Sequence, residues 1–389
     1  MLTTSVMSLN EYQNSARRTD QNRDRGLDGL GFFLLGLFGE VGTLLSALKK
    51  KQRDRDSFVG YHETVQEEYG DTLWYFSNIC SRASLDLSLI AQRVCRSLED
   101  WDQVSDNFGT FGDVQHQSGL LTPPHDFEES VIALAGKVGL LLNDFHLKRV
   151  TNNRDVLSAH LVEIFRALLQ SAHAAGVDLG QIAALNVTKI ESRWPETRKH
   201  TPLFDESFDS LERLPRRIRM NIFERSRGKR TAVIQQCNGI NIGDRLTDNK
   251  MVDDDYRFHD VFHLANAAIL GWSPVLRALF RVKRKSNPAV DEAQDGARAI
   301  LIEEGISTLI FHRASRLNHF EGLDSLDYPL LKLIPEFVSG YEVDKCALWE
   351  WEKAILDGYA VFRMLKQHRR GIVTADLAAR SISFEALPQ

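Results

Sequence analysis

The chain has 389 residues, 43% hydrophobic and 26% charged, enough for about two or three domains of ordinary globular composition. A formal net charge of −5 gives no global basic field, so nucleic acid is not an expected partner. Four cysteines without a CxxC exclude a disulfide scaffold and a zinc-ribbon spacing.

Residues 1–29 are polar and carry both charge signs, which reads against a secretory signal and for the cytoplasm. The longest apolar runs, such as 30–38, are shorter than a bilayer span, so no membrane association is expected. Residues 10–26 read as a polar helix with a soft end. From 27 onward Leu30, Phe33, Leu34, Leu37, Val41, Leu44, Leu45 and Leu48 recur at helical spacing, and Lys49–Lys51 suit a helix C-terminus. A second helix is predicted over 61–82 and a third over 86–102. The Gly, Ser, Asp and Pro-rich stretch 105–126 reads as a linker.

The pattern then recurs. LAGKVGLLL (134–142) aligns with LFGEVGTLL (37–45), and VDLGQIAAL (177–185) with LDLSLIAQR (85–93). Neither unit buries its apolar face alone, so 1–104 and 127–204 are expected to pack as a tandem helical bundle, a pseudo-dimer within one chain. A C-terminal domain follows at 205–389. RIRMNIFER, RTAVIQQC and INIGD, within 217–243, read as strands, with Asn238-Gly239 as a hairpin turn; from 255 the pattern is helical to the end. The predicted fold is mainly α with a small antiparallel β element. The basic clusters Arg225–Arg230 and Arg281–Lys285 read as solvated loops.

Residues 67–76, EEYGDTLWYF, set carboxylates beside a buried aromatic run. Glu68 and Asp71 are three apart, Glu67 and Asp71 four apart, so all share one helix face. Glu40 follows the apolar stripe of the preceding helix. Such carboxylates either complement a helix dipole or are neutralised by a hard cation such as Mg²⁺.

The two segments GLFGEVGTLLSALKK and EEYGDTLWYF resemble the MazG-like nucleoside triphosphate pyrophosphohydrolases, an all-α group, over roughly 27–200. That family's ExxE…ExxD pattern falls on Glu40, Thr43, Glu68 and Asp71, with Thr43 replacing the second Glu. The resemblance implies that Glu40, Glu68 and Asp71 hold Mg²⁺ or Mn²⁺. It also implies attack on a triphosphate at the α-phosphorus to release a nucleoside monophosphate and pyrophosphate. Glu67 is the candidate base or outer carboxylate, and Glu67 or Glu63, on the neighbouring helix, is the candidate to compensate for the charge lost at Thr43.

Aligning the copies sets Lys137 against Glu40, Leu140 against Thr43, His160 against Glu68 and Glu163 against Asp71. The second copy ends in Asn186, Lys189 and Arg193, where the first has Val94, Ser97 and Trp101. The family's last helix carries a similar N-xx-K-xxx-R pattern associated with the nucleotide. Either the halves are complementary, acids in one and phosphate-binding groups in the other, or the second copy has decayed and Lys189 and Arg193 cap a helix. An alternative function is nucleotide sensing with weak turnover, coupled to the C-terminal domain. A homo-oligomer is compatible with either.

The C-terminal part resembles the domain attached to some MazG-like proteins. RFHDVFHLA (257–265) places His259 and His263 at i and i+4 around Asp260, and AILIEEGISTLIFH (299–312) interrupts an apolar run with Glu303 and Glu304. These five are expected to form one polar cluster in an apolar interior, either a metal or phosphoryl site or a purely structural network with Arg257 or Arg298 as cation. HDxxH lacks the base of an HExxH protease, so peptidase activity is excluded.

Overall fold

The computed structural model describes residues 7–22, 29–96, 109–121, 126–150, 153–228 and 230–387. It is mainly α-helical with one five-stranded antiparallel sheet. Two compact units divide at Glu196/Thr197.

The first unit contains α1 (Leu9–Arg18), α2 (Leu30–Asp54), α3 (Tyr61–Arg82), α4 (Leu87–Arg96), α5 (Phe111–Leu121), α6 (Phe127–His146), α7 (Arg154–Ala174) and α8 (Leu179–Arg193). The stripe Phe33, Leu37, Val41 and Leu44 faces inward, as its helical spacing requires. Part of the segment read as a linker, 111–121, is the helix α5, whose Phe111 and Val114 are buried. Gly and Ser in that stretch masked two apolar positions that the core takes up. Residues 97–108 and 122–125, which include parts of the predicted third helix and linker, lie outside the described residues.

Contacts in the two halves of this unit correspond. Helix α3 packs on α8, and α4 packs on α7. Gln13 on α1 donates to the Leu85 carbonyl at 2.8 Å and accepts from the Leu87 N–H at 2.8 Å. Gln115 on α5 does the same with Val177 and Leu179, at 2.6 and 2.9 Å. Each glutamine thereby satisfies backbone groups just before and at the start of a following helix, where no intrahelical partner exists for the N–H.

One helix among the described residues, the segment Leu30–Ser57, is long and apolar enough to cross a membrane by length and composition, which corrects the expectation drawn from shorter runs. One face of it is core, packed on α3 and α6.

The second unit holds β1 (Arg217–Arg227), β2 (Arg230–Cys237), β3 (Ile240–Asn241), α9 (Asp260–Leu270), α10 (Pro274–Phe280), α11 (Pro288–Ala293), α12 (Ala297–Ala314), α13 (Tyr328–Val338), α14 (Leu348–His368), β4 (Arg370–Asp376) and β5 (Ser381–Glu385). Sheet order is β3-β2-β1-β4-β5. Asn238 and Gly239 both have positive φ, 50° and 79°, as the β2–β3 turn requires. The last two strands correct the expectation of helix to the C-terminus. In β4, buried Gly371, Val373 and Ala375 alternate with half-buried Arg370, Ile372, Thr374 and Asp376, a period-two signal too short to outweigh the helical run before it.

Helix α9 is buried at every position, so it runs through the middle of the unit. Its Asp260, His263 and Asn266 are therefore forced to find partners inside the protein. Arg284 also departs from its predicted place in a solvated loop. It is buried against Asp295 (Nη2–Oδ1 2.6 Å) and Glu342 (Nη2–Oε1 2.7 Å). The Arg225–Arg230 cluster spans the β1–β2 turn rather than a free loop.

Candidate functional site

In the first unit, Glu40 on α2, Glu67, Glu68 and Asp71 on α3, and Asn186 and Lys189 on α8 come together. The ammonium of Lys189 lies 2.7 and 2.6 Å from the two oxygens of Asp71 and 3.1 Å from Glu67 Oε1. Asn186 donates to Asp71 Oδ1 at 3.1 Å, and its own carbonyl accepts from the Tyr12 hydroxyl at 3.0 Å. Gly70 permits this approach, since a Cβ there would sit 3.1 Å from the Asn186 side chain. Glu63, Gln66, Glu67, Gly70, Asn186 and Lys189 line an open cleft of about 240 Å³.

Carboxylates outnumber cations here, and the electrostatics show it. Glu40 and Glu68 lie close enough for their carboxyl groups to interact directly, a contact that raises Glu68 and lowers Glu40. Burial, the contact with Glu40 and the charges of Glu40, Asp71 and Glu67 push Glu68 up to about 8. Glu40 is also raised on balance, by burial first and then by Asp71 and Glu67, with the contact with Glu68 and the charge of Lys189 working against the rise. Crowded hard oxygen donors of this kind fit a divalent cation, whose charge would relieve their mutual repulsion.

Thr43 is turned to its own helix: its hydroxyl bonds to the Gly39 carbonyl at 3.1 Å. Arg193 lies over the Trp194 ring, 4.5 Å from its centroid. At the corresponding positions of the second half, Lys137 pairs with Glu163 at 3.1 Å, and Arg166 also bonds to Glu163. His160 lies 2.9 Å from Asp144. The one acid retained there is thus neutralised within its own helix pair. Val94 is buried core, while Ser97 and Trp101 lie outside the described residues.

In the second unit, His259, Asp260, His263, Glu303 and Glu304 do meet. His263 Nδ1 is 2.9 Å from Glu303 Oε1, both side chains being 0% exposed, and His263 Nε2 is 3.4 Å from Glu304 Oε1. Burial opposes a charge on His263, but Glu303 and Glu304 outweigh it and hold the imidazole well above its usual range. Burial would raise Glu304, yet His263 and His259 keep it below the usual carboxylate range. Arg257 is engaged elsewhere, with Glu224 at 2.7 Å and with Asp248 and Asp255, so it is not the counter-ion of Glu303.

Tyr12, Gly70, Gln235, Tyr256 and Ser273 were not singled out by sequence. Tyr12 meets Asn186 across 174 positions, and no local pattern signals that contact.

Residues 199–388 match the family model of the MazG C-terminal domain. The chain is 31% identical over 75 residues to the Gene 37 protein of Mycobacterium phage L5. That match covers 19% of this chain and 66% of the phage protein, just under two thirds of its length. No solved structure matches.

Proposed function

We propose that the first unit hydrolyses nucleoside triphosphates, ribo- or deoxyribo-, to the monophosphate and pyrophosphate. The observation that carries this reading is the convergence of Glu40, Glu68 and Asp71 from two helices on Asn186 and Lys189 of a third, beside an open cleft. The resemblance of residues 27–200 to MazG-like pyrophosphohydrolases, and the MazG C-terminal match next to it, support the same reading.

Glu40, Glu68 and Asp71 would hold Mg²⁺, which when bound neutralises phosphate charge and acidifies a coordinated water. Lys189, now on Asp71 and Glu67, is placed to share its ammonium with phosphate oxygens entering the cleft. Asn186, fixed by Tyr12, holds Asp71 in orientation. Glu67 accepts the proton of the attacking water. As the water oxygen bonds to the α-phosphorus, the bond from that phosphorus to the bridging oxygen breaks, and pyrophosphate leaves. The halves act as unlike copies: one keeps its acids, and the other neutralises its remaining acid through Lys137 and contributes Asn186 and Lys189.

A second reading, nucleotide sensing with weak turnover, draws on Thr43, whose hydroxyl is tied to Gly39 and supplies no charge. Incubating the protein with each NTP and dNTP plus Mg²⁺, then separating mono- from diphosphate products, distinguishes the two. Monophosphate and pyrophosphate formed by the protein and lost in Glu68→Gln support hydrolysis. Saturable nucleotide binding with no turnover supports sensing, and the absence of both sinks the site.

A further inference from the structure

We infer that His259, Asp260, His263 and Glu304 of the second unit form a binding site for a first-row transition-metal dication, separate from the triphosphate site and independent of that reading. The donor atoms already converge. Those of His259, Asp260 and His263 lie within 4.8 Å of one another. His259 Nε2 is 3.2 Å from Asp260 Oδ1 and 3.8 Å from Glu304 Oε2, and His263 Nε2 is 3.4 Å from Glu304 Oε1. Two ligands each about 2.1 Å from one metal, at tetrahedral or octahedral angles, are separated by roughly 3.0–3.5 Å.

The ring nitrogens that face away from this point are fixed by other groups. His259 Nδ1 is 2.9 Å from the Tyr256 carbonyl, which can only accept, so that nitrogen carries hydrogen and Nε2 is the nitrogen turned to the site. The Tyr256 ring lies flat on the His259 ring, centroids 4.4 Å apart, and holds its plane. His263 Nδ1 faces Glu303. The other oxygen of Glu303 accepts from the Ser273 hydroxyl at 3.1 Å and the Val275 N–H at 3.0 Å. A carboxylate with those donors is an acceptor toward His263, so Nε2 of His263 is again the outward nitrogen. That Nε2 is fully buried and, among the described residues, makes no well-formed hydrogen bond; the group facing it is Glu304 Oε1 at 3.4 Å. Gln235 binds the second oxygen of Asp260 and sets its orientation.

This is the outer-shell pattern of metal-ligating histidines, a carboxylate on one and a backbone carbonyl on the other. It also separates two neighbours in sequence: Glu303 is a positioning residue, and Glu304 a ligand. Two imidazoles with two carboxylates select Zn²⁺, Mn²⁺ or Fe²⁺ over Mg²⁺ or Ca²⁺. Glu304 is 36% exposed, so the site opens to solvent on that side and leaves room for a water or a small oxygen ligand.

The test uses the full chain, stripped with chelator, then given Zn²⁺, Mn²⁺ or Fe²⁺ in excess Mg²⁺, desalted and measured by elemental mass spectrometry. One equivalent of one of these metals is expected, retained in Glu68→Gln, which addresses the other site. His259→Gln and His263→Gln should lose it, and Glu303→Gln should weaken binding by about 10–100-fold. Folding is controlled by circular dichroism and by melting in chelator. The metal should raise the melting temperature of the parent but not that of a folded His259→Gln. A parent chain that keeps none of the three metals and melts unchanged in their presence overturns the site, leaving a buried ionic network. So does full stoichiometry in both His259→Gln and Glu304→Gln.

Discussion

Lys189 meets both oxygens of Asp71, at 2.7 and 2.6 Å, across 118 positions of sequence. Two helices from different halves of the first unit are thereby joined at the point where negative charge is most crowded. Lys189→Met should lower pyrophosphate release by about 10²-fold, the usual cost of removing one preorganised charge donor. It should also lower stability by about 1–2 kcal/mol, less than for a fully buried pair because both side chains are part-exposed. Product assays and urea denaturation check the two effects. Unchanged turnover with a folded variant would remove Lys189 from the mechanism.

Thr43 leaves the carboxylate set one charge short, and its hydroxyl is bonded to its own helix turn. Thr43→Glu should strengthen the Mg²⁺ dependence of turnover about tenfold, about 1.4 kcal/mol of added cation affinity. The half-saturating Mg²⁺ concentration is the readout. If it does not move, the residue at this position does not contribute to the cation site.

Arg284 and Asp295 are a buried pair, 1% and 0% exposed. Arg284→Met leaves Asp295 facing the more distant Arg277, 3.6 Å away, and leaves Glu342 without this guanidinium, so a loss of about 3 kcal/mol is expected. Combined with Asp295→Asn, the loss should be smaller than the sum of the two single changes, because the under-compensated charge is gone. Denaturation curves of the three variants decide this; strict additivity would mean that the pair is not coupled.

His319 is kept neutral by burial and by Lys366, whose ammonium lies 3.2 Å from its Nε2; both push the imidazole below its ordinary range. Arg363 acts in the same direction, while Asp254 and Asp255 oppose it. Because the folded value is depressed, the fold binds fewer protons here than the unfolded chain. Its contribution is complete above about pH 6.5 and is lost as pH falls below that value. Melting temperatures between pH 7.5 and 5.5 should fall less steeply in His319→Asn, a residue that tolerates the positive φ at this position. An identical slope in both proteins would assign the pH dependence to other groups.

The sequence by itself determined the elements with strong periodicity and turn chemistry. The apolar stripe of α2, the span of α3 and the Asn238-Gly239 hairpin all follow from local spacing. The same spacing put Glu67, Glu68 and Asp71 on one face, and His259 with His263 on another, because helix geometry alone sets which residues are neighbours. Short signals failed. The β4–β5 hairpin and α5 carry too few apolar positions to stand out from their surroundings, and they exist because a core elsewhere in the unit receives them. Tertiary structure alone decided the partners: Tyr12 for Asn186, Lys137 for Glu163, Asp295 for Arg284, and Glu303 rather than Glu304 behind His263. The physical reason is one of range. Backbone propensity and side-chain periodicity act over a few residues, whereas a buried charge is stabilised by whatever group the packed helices bring within about 4 Å, and no local pattern in the chain encodes that distance.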